Sequence, residues 1–132
     1  MWNVNWLEII GAALVGFAIG GVWYGPVFGK AWQRLSGLSD EAVQNANMAV
    51  IFGGTFVLNL LASLMLAHMF SAAGNPGLRI STQMGFGIGF FFVATSIGVN
   101  YLFSRKPLKL FLIDAGYWIV AYAAMGLVFG LS

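Results

Sequence analysis

Four stretches of the chain carry no fixed charge: residues 9–29, 42–78, 80–104 and 115–132, with His68 the one side chain among them that can carry a charge near neutral pH. A bilayer core of about 30 Å is crossed by roughly 20 apolar residues in a helix. The pattern therefore predicts an all-α integral membrane protein in one domain, 1–132, with helices at 6–27, 47–71, 80–103 and 108–131. The runs are unbroken rather than alternating with period two, which argues against a membrane β-barrel. Residues 1–6 carry no basic residue and the first run is long, so it reads as a retained helix rather than a cleaved signal peptide.

The breaks carry their own chemistry. Ser39 is a helix cap with Asp40 and Glu41 in the turn that follows, where acids complement the positive end of the helix dipole. The spacing predicts that the second helix starts there, in water. Gly74-Asn75-Pro76-Gly77 is a turn cluster, and Pro107 stands where the fourth helix begins. Phe28, Trp32 and Leu35 recur at helical spacing between Lys30, Gln33 and Arg34, as in a short helix lying on a membrane surface.

Composition agrees. Of 132 residues 60% are hydrophobic and 8% charged, against about 25% charged in an ordinary globular domain. Ten charged side chains do not coat a water-facing surface of this size, so the partner of most of the surface is the lipid bilayer. Six Lys and Arg are too few for a nucleic-acid footprint. The absence of Cys removes disulfides, thiolate metal sites and thiol catalysis.

The basic residues are unevenly placed. Lys30, Arg34, Arg105, Lys106 and Lys109 fall in or beside the first and third loops, and Arg79 alone in the second. Five against one is a positive-inside bias, which puts these loops in the cytoplasm and both termini outside, in a bacterial inner membrane. Trp2 and Trp6 then mark the outer interface, and Trp23, Tyr24, Phe28, Trp32 and Tyr101 the inner one. Trp6, Trp23, Tyr24, Trp32 and Lys30 are the expected interface anchors.

Helices in lipid associate through close packing and hydrogen bonds rather than through the hydrophobic effect. Small residues four apart are the usual device, and Gly16/Gly20, Gly21/Gly25, Gly25/Gly29, Gly85/Gly89 and Gly126/Gly130 supply five such pairs, with Ala12 extending the first row. Four helices have few faces to bury among themselves, so some of these stripes are expected to face a second copy, giving a homo-oligomer. The runs Gly16–Gly20 and Gly85–Gly89 also resemble one another as a faint internal echo, for which coincidence is the simpler reading.

Intramembrane polar groups are the first functional candidates, since a central acid costs roughly 2.5–3.5 kcal/mol to insert. Glu8 and His68 fall at similar depth near the outer side and are candidates for a pair, or simply reach the headgroups. Asp114 lies about one turn into the fourth helix, near Asn100, with Arg105, Lys106 and Lys109 close enough for an ion pair. The competing reading is an ion or proton site. Asn59, Ser63, Thr95 and Ser96 lie mid-membrane, either as a sparse polar track or as groups bonding across helices and back to their own backbone. No enzyme signature is present: one His gives no metal pair, and there is no nucleophile elbow or phosphate-binding loop with its Lys. Neither a metal nor a cofactor is expected.

The run Trp23-Tyr24-Gly25-Pro26-Val27-Phe28-Gly29-Lys30-Ala31-Trp32, with Asn5-Trp6 before it and Gly37-Leu38-Ser39 after it, resembles a family of small bacterial membrane proteins, domain of unknown function 1761. The segment Pro107-Leu108-Lys109-Leu110-Phe111-Leu112-Ile113-Asp114-Ala115-Gly116-Tyr117 is similar to that family's last helix. The resemblance covers nearly the whole chain and implies four transmembrane helices, with no activity or catalytic residues attached. Family members often have Asn and His where this sequence has Asp114 and Trp118, which weakens any ligand-binding His on the fourth helix. Two functional readings follow. The first is a non-enzymatic, homo-oligomeric helix-packing or assembly protein, and the alternative is a small proton-coupled transporter or channel using Glu8, Asn59, His68 and Asp114, with its substrate unspecified.

Overall fold

The computed structural model describes residues 5–131, all helices and short connections. Trp2, expected at the outer interface, lies outside the described residues. In chain order the elements are α1 (Trp6–Val27), α2 (Gly29–Ser36), α3 (Asp40–Gln44), α4 (Met48–Ala72), α5 (Leu78–Ser104) and α6 (Leu108–Gly130). Helices α1, α4, α5 and α6 are long and apolar enough to cross a membrane. They match the four predicted spans within a few residues at each end.

The predicted short amphipathic helix is α2. It ends at Gly37, whose φ of 74° lies in the left-handed region that glycine enters without a Cβ penalty. Ser39 is a cap as expected, accepting from the Ala42 amide at 3.0 Å. However, it starts the separate one-turn α3 rather than the second span. The chain breaks after Gln44, and Asn47 restarts it by accepting from the Val50 amide at 3.2 Å. Asn-Ala-Asn favours such a break because Asn side chains compete for local backbone groups.

The four long helices pack in the order α4–α1–α6–α5. The two helical hairpins are thus joined through α1 and α6, and α6 is the most enclosed, burying Leu110, Ile113, Asp114, Ala115, Tyr117, Ala121, Met125, Gly126 and Phe129. An apolar cluster of Ile9, Ala12, Leu66, Ala67, Phe70, Met125 and Phe129 fills the α1–α4–α6 junction near the Glu8 end. There the Ser63 hydroxyl donates to the Ile9 carbonyl at 2.7 Å, tying α4 to α1.

Glycine sets the closest approaches. A Cβ on Gly85 would collide with the Tyr122 carbonyl, and one on Gly126 with the Ser81 carbonyl. On Gly89 it would stand 2.8 Å from Ile119 Cα, and on Gly130 2.7 Å from Leu78 Cα. Backbone meets backbone along the α5–α6 seam. Gly16 and Gly20 face the other side of α6, where added Cβ atoms would meet Met125 Sδ at 3.4 Å and the Tyr117 hydroxyl at 3.2 Å. Gly16/Gly20, Gly85/Gly89 and Gly126/Gly130 are therefore occupied within one copy of the chain, whereas Gly21 and Gly25 have nothing within 4 Å. The two echoing runs both pack against α6.

Two stretches widen into π-helix, Trp23–Val27 and Ile88–Ala94. The first has a cause in the sequence: Pro26 has no N–H to give to Val22, and the Phe28 amide reaches back five residues to the Trp23 carbonyl at 2.8 Å.

Candidate functional site

Asp114 is 8% exposed and sits six residues into α6, about 9 Å along the axis at 1.5 Å per residue. Its neighbours come from the two helices that flank α6. The Tyr24 hydroxyl of α1 donates to Asp114 Oδ1 at 2.6 Å, and the Tyr101 hydroxyl of α5 donates to Oδ2. Beside them the Trp23 indole donates to the Ile113 carbonyl at 2.9 Å. Trp23 and Tyr24 are adjacent in sequence yet both turn toward α6. The widened turn before Pro26 makes this possible, because more residues per turn bring successive side chains closer in angle.

This arrangement corrects the expected ion pair. Among the described residues no Lys or Arg neutralises Asp114; both carboxylate oxygens are held by neutral hydroxyls instead. Arg105 closes α5 in the left-handed conformation at φ 58° and is exposed. Lys106 and Lys109 are exposed. Asn100 is exposed on α5 and does not join the cluster.

From Asp114 a sparse line of polar groups follows α1 toward its other end. Tyr24 meets Tyr117 edge to face, with ring centroids 5.3 Å apart. The Tyr117 hydroxyl donates to the Gly16 carbonyl at 2.8 Å. Asn59, only 2% exposed, stands at the same level: its Nδ2 lies 3.7 Å from where a Gly16 Cβ would be, and has no hydrogen-bond partner. One turn on, Ser63 bonds the Ile9 carbonyl. Glu8 ends the line, half-buried in the wall of a cavity. From Glu8 to Tyr24 is about 24 Å of helix, most of the thickness of a bilayer core.

Of the four mid-membrane polar residues in the sequence, Asn59 and Ser63 lie on this line. Thr95 and Ser96 do not; both are exposed on α5 and donate to their own helix, Thr95 to Phe91 at 2.7 Å and Ser96 to Phe92 at 2.5 Å. His68 is half-buried on α4 and is not part of the cavity wall that contains Glu8. Among the described residues no group of three or more His, Asp or Glu is placed to hold a metal ion.

The sequence pattern of a family described as a protein of unknown function, DUF1761, matches residues 7–130. The chain belongs to this family. No curated protein and no solved structure matches it.

Sequence reasoning found Asp114 in this family member but missed its partners. In sequence Tyr24 and Trp23 look like interface anchors, and Trp32, packed edge to face on Tyr24 at 5.8 Å, supports the site from outside. Trp6 at the start of α1 and Lys30 in the first turn of α2 remain exposed. A usable signal was present: on a four-helix topology Tyr24, Tyr101 and Asp114 all fall within a turn or two of the same membrane face.

Proposed function

We propose that the chain is a small proton-coupled carrier of a bacterial inner membrane, in which Asp114 is the proton-binding group. One observation carries this reading: a buried acid at the meeting point of three membrane helices whose partners are hydroxyls rather than cations. An ion pair would fix the carboxylate in its charged form. Two tyrosine hydroxyls hold it in either form, because each can donate to a carboxylate or accept from a carboxylic acid. The positive-inside bias orients the site toward the cytoplasm, with Glu8 at the opposite face.

The assembly reading rested on glycine stripes left over for a second copy. Gly16, Gly20, Gly85, Gly89, Gly126 and Gly130 each meet another helix of the same chain, whereas Gly21 and Gly25 have nothing within 4 Å and stay open to a second copy. The polar groups spaced along α1 support the carrier reading, although an apolar cluster fills the α1–α4–α6 junction beside Ser63.

The test is proton uptake by proteoliposomes carrying a pH-sensitive dye, driven by a valinomycin-clamped potassium potential. Protein-dependent uptake that falls at least about tenfold in Asp114→Asn supports the proposal. Absence of uptake in the parent under both polarities, or equal uptake in the variant, overturns it.

A further inference from the structure

At the end of the bundle remote from Asp114, a cavity of about 250 Å³ opens between the start of α1, the end of α4 and the start of α5. Its wall is mostly polar: Asn5, Glu8, Ser71, Asn75 and Ser81, over a floor formed by Phe70 and Phe129, whose rings lie 5.5 Å apart. Among the described residues no Lys or Arg lines it, and Glu8 is the one charged side chain in its wall. Among the described residues none hydrogen-bonds or ion-pairs with the Glu8 carboxylate. Two of the other polar groups are already committed. Asn5 caps the Leu7 amide at 2.9 Å, and the Ser81 hydroxyl donates to the Pro76 carbonyl at 2.7 Å. The uncommitted side chains facing the space are the acid, an amide and a hydroxyl, all able to accept hydrogen bonds.

We propose that this cavity is a binding site for a small primary ammonium group. A carboxylate with no cation attracts one, and hydroxyl and amide oxygens around it suit three N–H donors better than a donorless cation. The aromatic floor favours positive charge over negative. The volume is well above the ~10–15 Å³ of such space that a single water needs, and is enough for a simple amine. A metal ion is the poorer fit, for want of a second acid. As the substrate site of a proton-coupled carrier the proposal rests on the preceding reading; as a binding site it stands on the cavity alone. The ammonium has two sources, a free amine or an aminophospholipid headgroup, since this end of α1 lies near the membrane surface.

The experiment is equilibrium binding of radiolabelled ethylamine to the full chain in nanodiscs of phosphatidylglycerol, which carries no ammonium group. Saturable binding is expected, unaffected by excess acetate, weakened at least about tenfold in Glu8→Gln and strengthened several-fold in Asn75→Asp. Asn75 has φ 52°, a conformation Asp also adopts, so the second variant adds charge without backbone strain and answers the first in the opposite direction. Repeating the measurement with phosphatidylethanolamine in the nanodisc separates the sources: competition identifies the headgroup, unchanged binding the free amine. Non-saturable binding, or the same affinity in all three proteins, overturns the site. Amine binding without proton uptake would keep the site and remove the carrier, and uptake lost in Asp114→Asn without amine binding would do the reverse.

Discussion

Tyr24 and Asp114, ninety positions apart in sequence, meet through a 2.6 Å hydrogen bond at the point where α1 crosses α6. The contact needs two things at once: a widened turn ahead of Pro26 that aims Tyr24 at α6, and glycines at positions 16 and 20 that let α1 lie close enough along it. Tyr101 completes the clamp from the other side. Because a buried carboxylate has no water to fall back on, each hydroxyl matters more here than on a surface.

Tyr24→Phe is expected to destabilise the protein by about 1.5–3 kcal/mol, the range for a hydrogen bond to a charged group. Reversible unfolding in bicelles measures it. In the Asp114→Asn background the same substitution should cost less, and that shortfall in the double-mutant cycle is the signature of a direct contact. Additive costs would show that Tyr24 acts elsewhere.

Asn59→Leu is expected to stabilise the fold by about 1 kcal/mol, since it removes a buried donor without a partner and replaces it with a side chain of similar volume. If the polar line along α1 carries protons, the same variant should lower proteoliposome uptake. Gain in stability with loss of uptake is the combination expected of a residue kept for function rather than packing.

Gly85→Ala and Gly126→Ala are expected to cost about 1–3 kcal/mol each, because the added methyl meets backbone carbonyls that have no rotamer to move. Gly21→Ala and Gly25→Ala have nothing within 4 Å and should be neutral. Thermal unfolding of the four variants in one detergent tests the contrast; equal effects would mean that the α5–α6 seam is looser than its backbone contacts indicate.

Pro26→Ala restores the missing N–H and should let α1 rewind to a regular helix, turning Trp23 and Tyr24 apart. The expected outcome is a changed Trp23 environment, read as a shift in tryptophan emission against a Trp23→Phe control, together with loss of the coupling between Tyr24 and Asp114. An unchanged spectrum and coupling would place the cause of the π-turn elsewhere.

The spans were legible because lipid imposes a local rule: a run of about 20 apolar residues must be helical to satisfy its own backbone, wherever its neighbours lie. The amphipathic α2, the Ser39 cap and the turn at Gly74-Asn75-Pro76-Gly77 were legible for the same reason, each depending on residues within one turn of each other. Asp114 stood out by the cost of an acid in an apolar segment. Its partners did not stand out, since a tyrosine at a membrane interface reads alike whether it anchors a helix or reaches across one. The glycine pairs announced close packing without naming the partner. Only the packing order α4–α1–α6–α5 decided that Gly85 and Gly126 face each other, that Thr95 and Ser96 point away while Asn59 and Ser63 point in, and that Asp114 meets hydroxyls instead of lysines. Helix formation in lipid is set along the chain, whereas helix neighbours are chosen by shape between segments distant in sequence, where no periodicity of a single helix records the outcome.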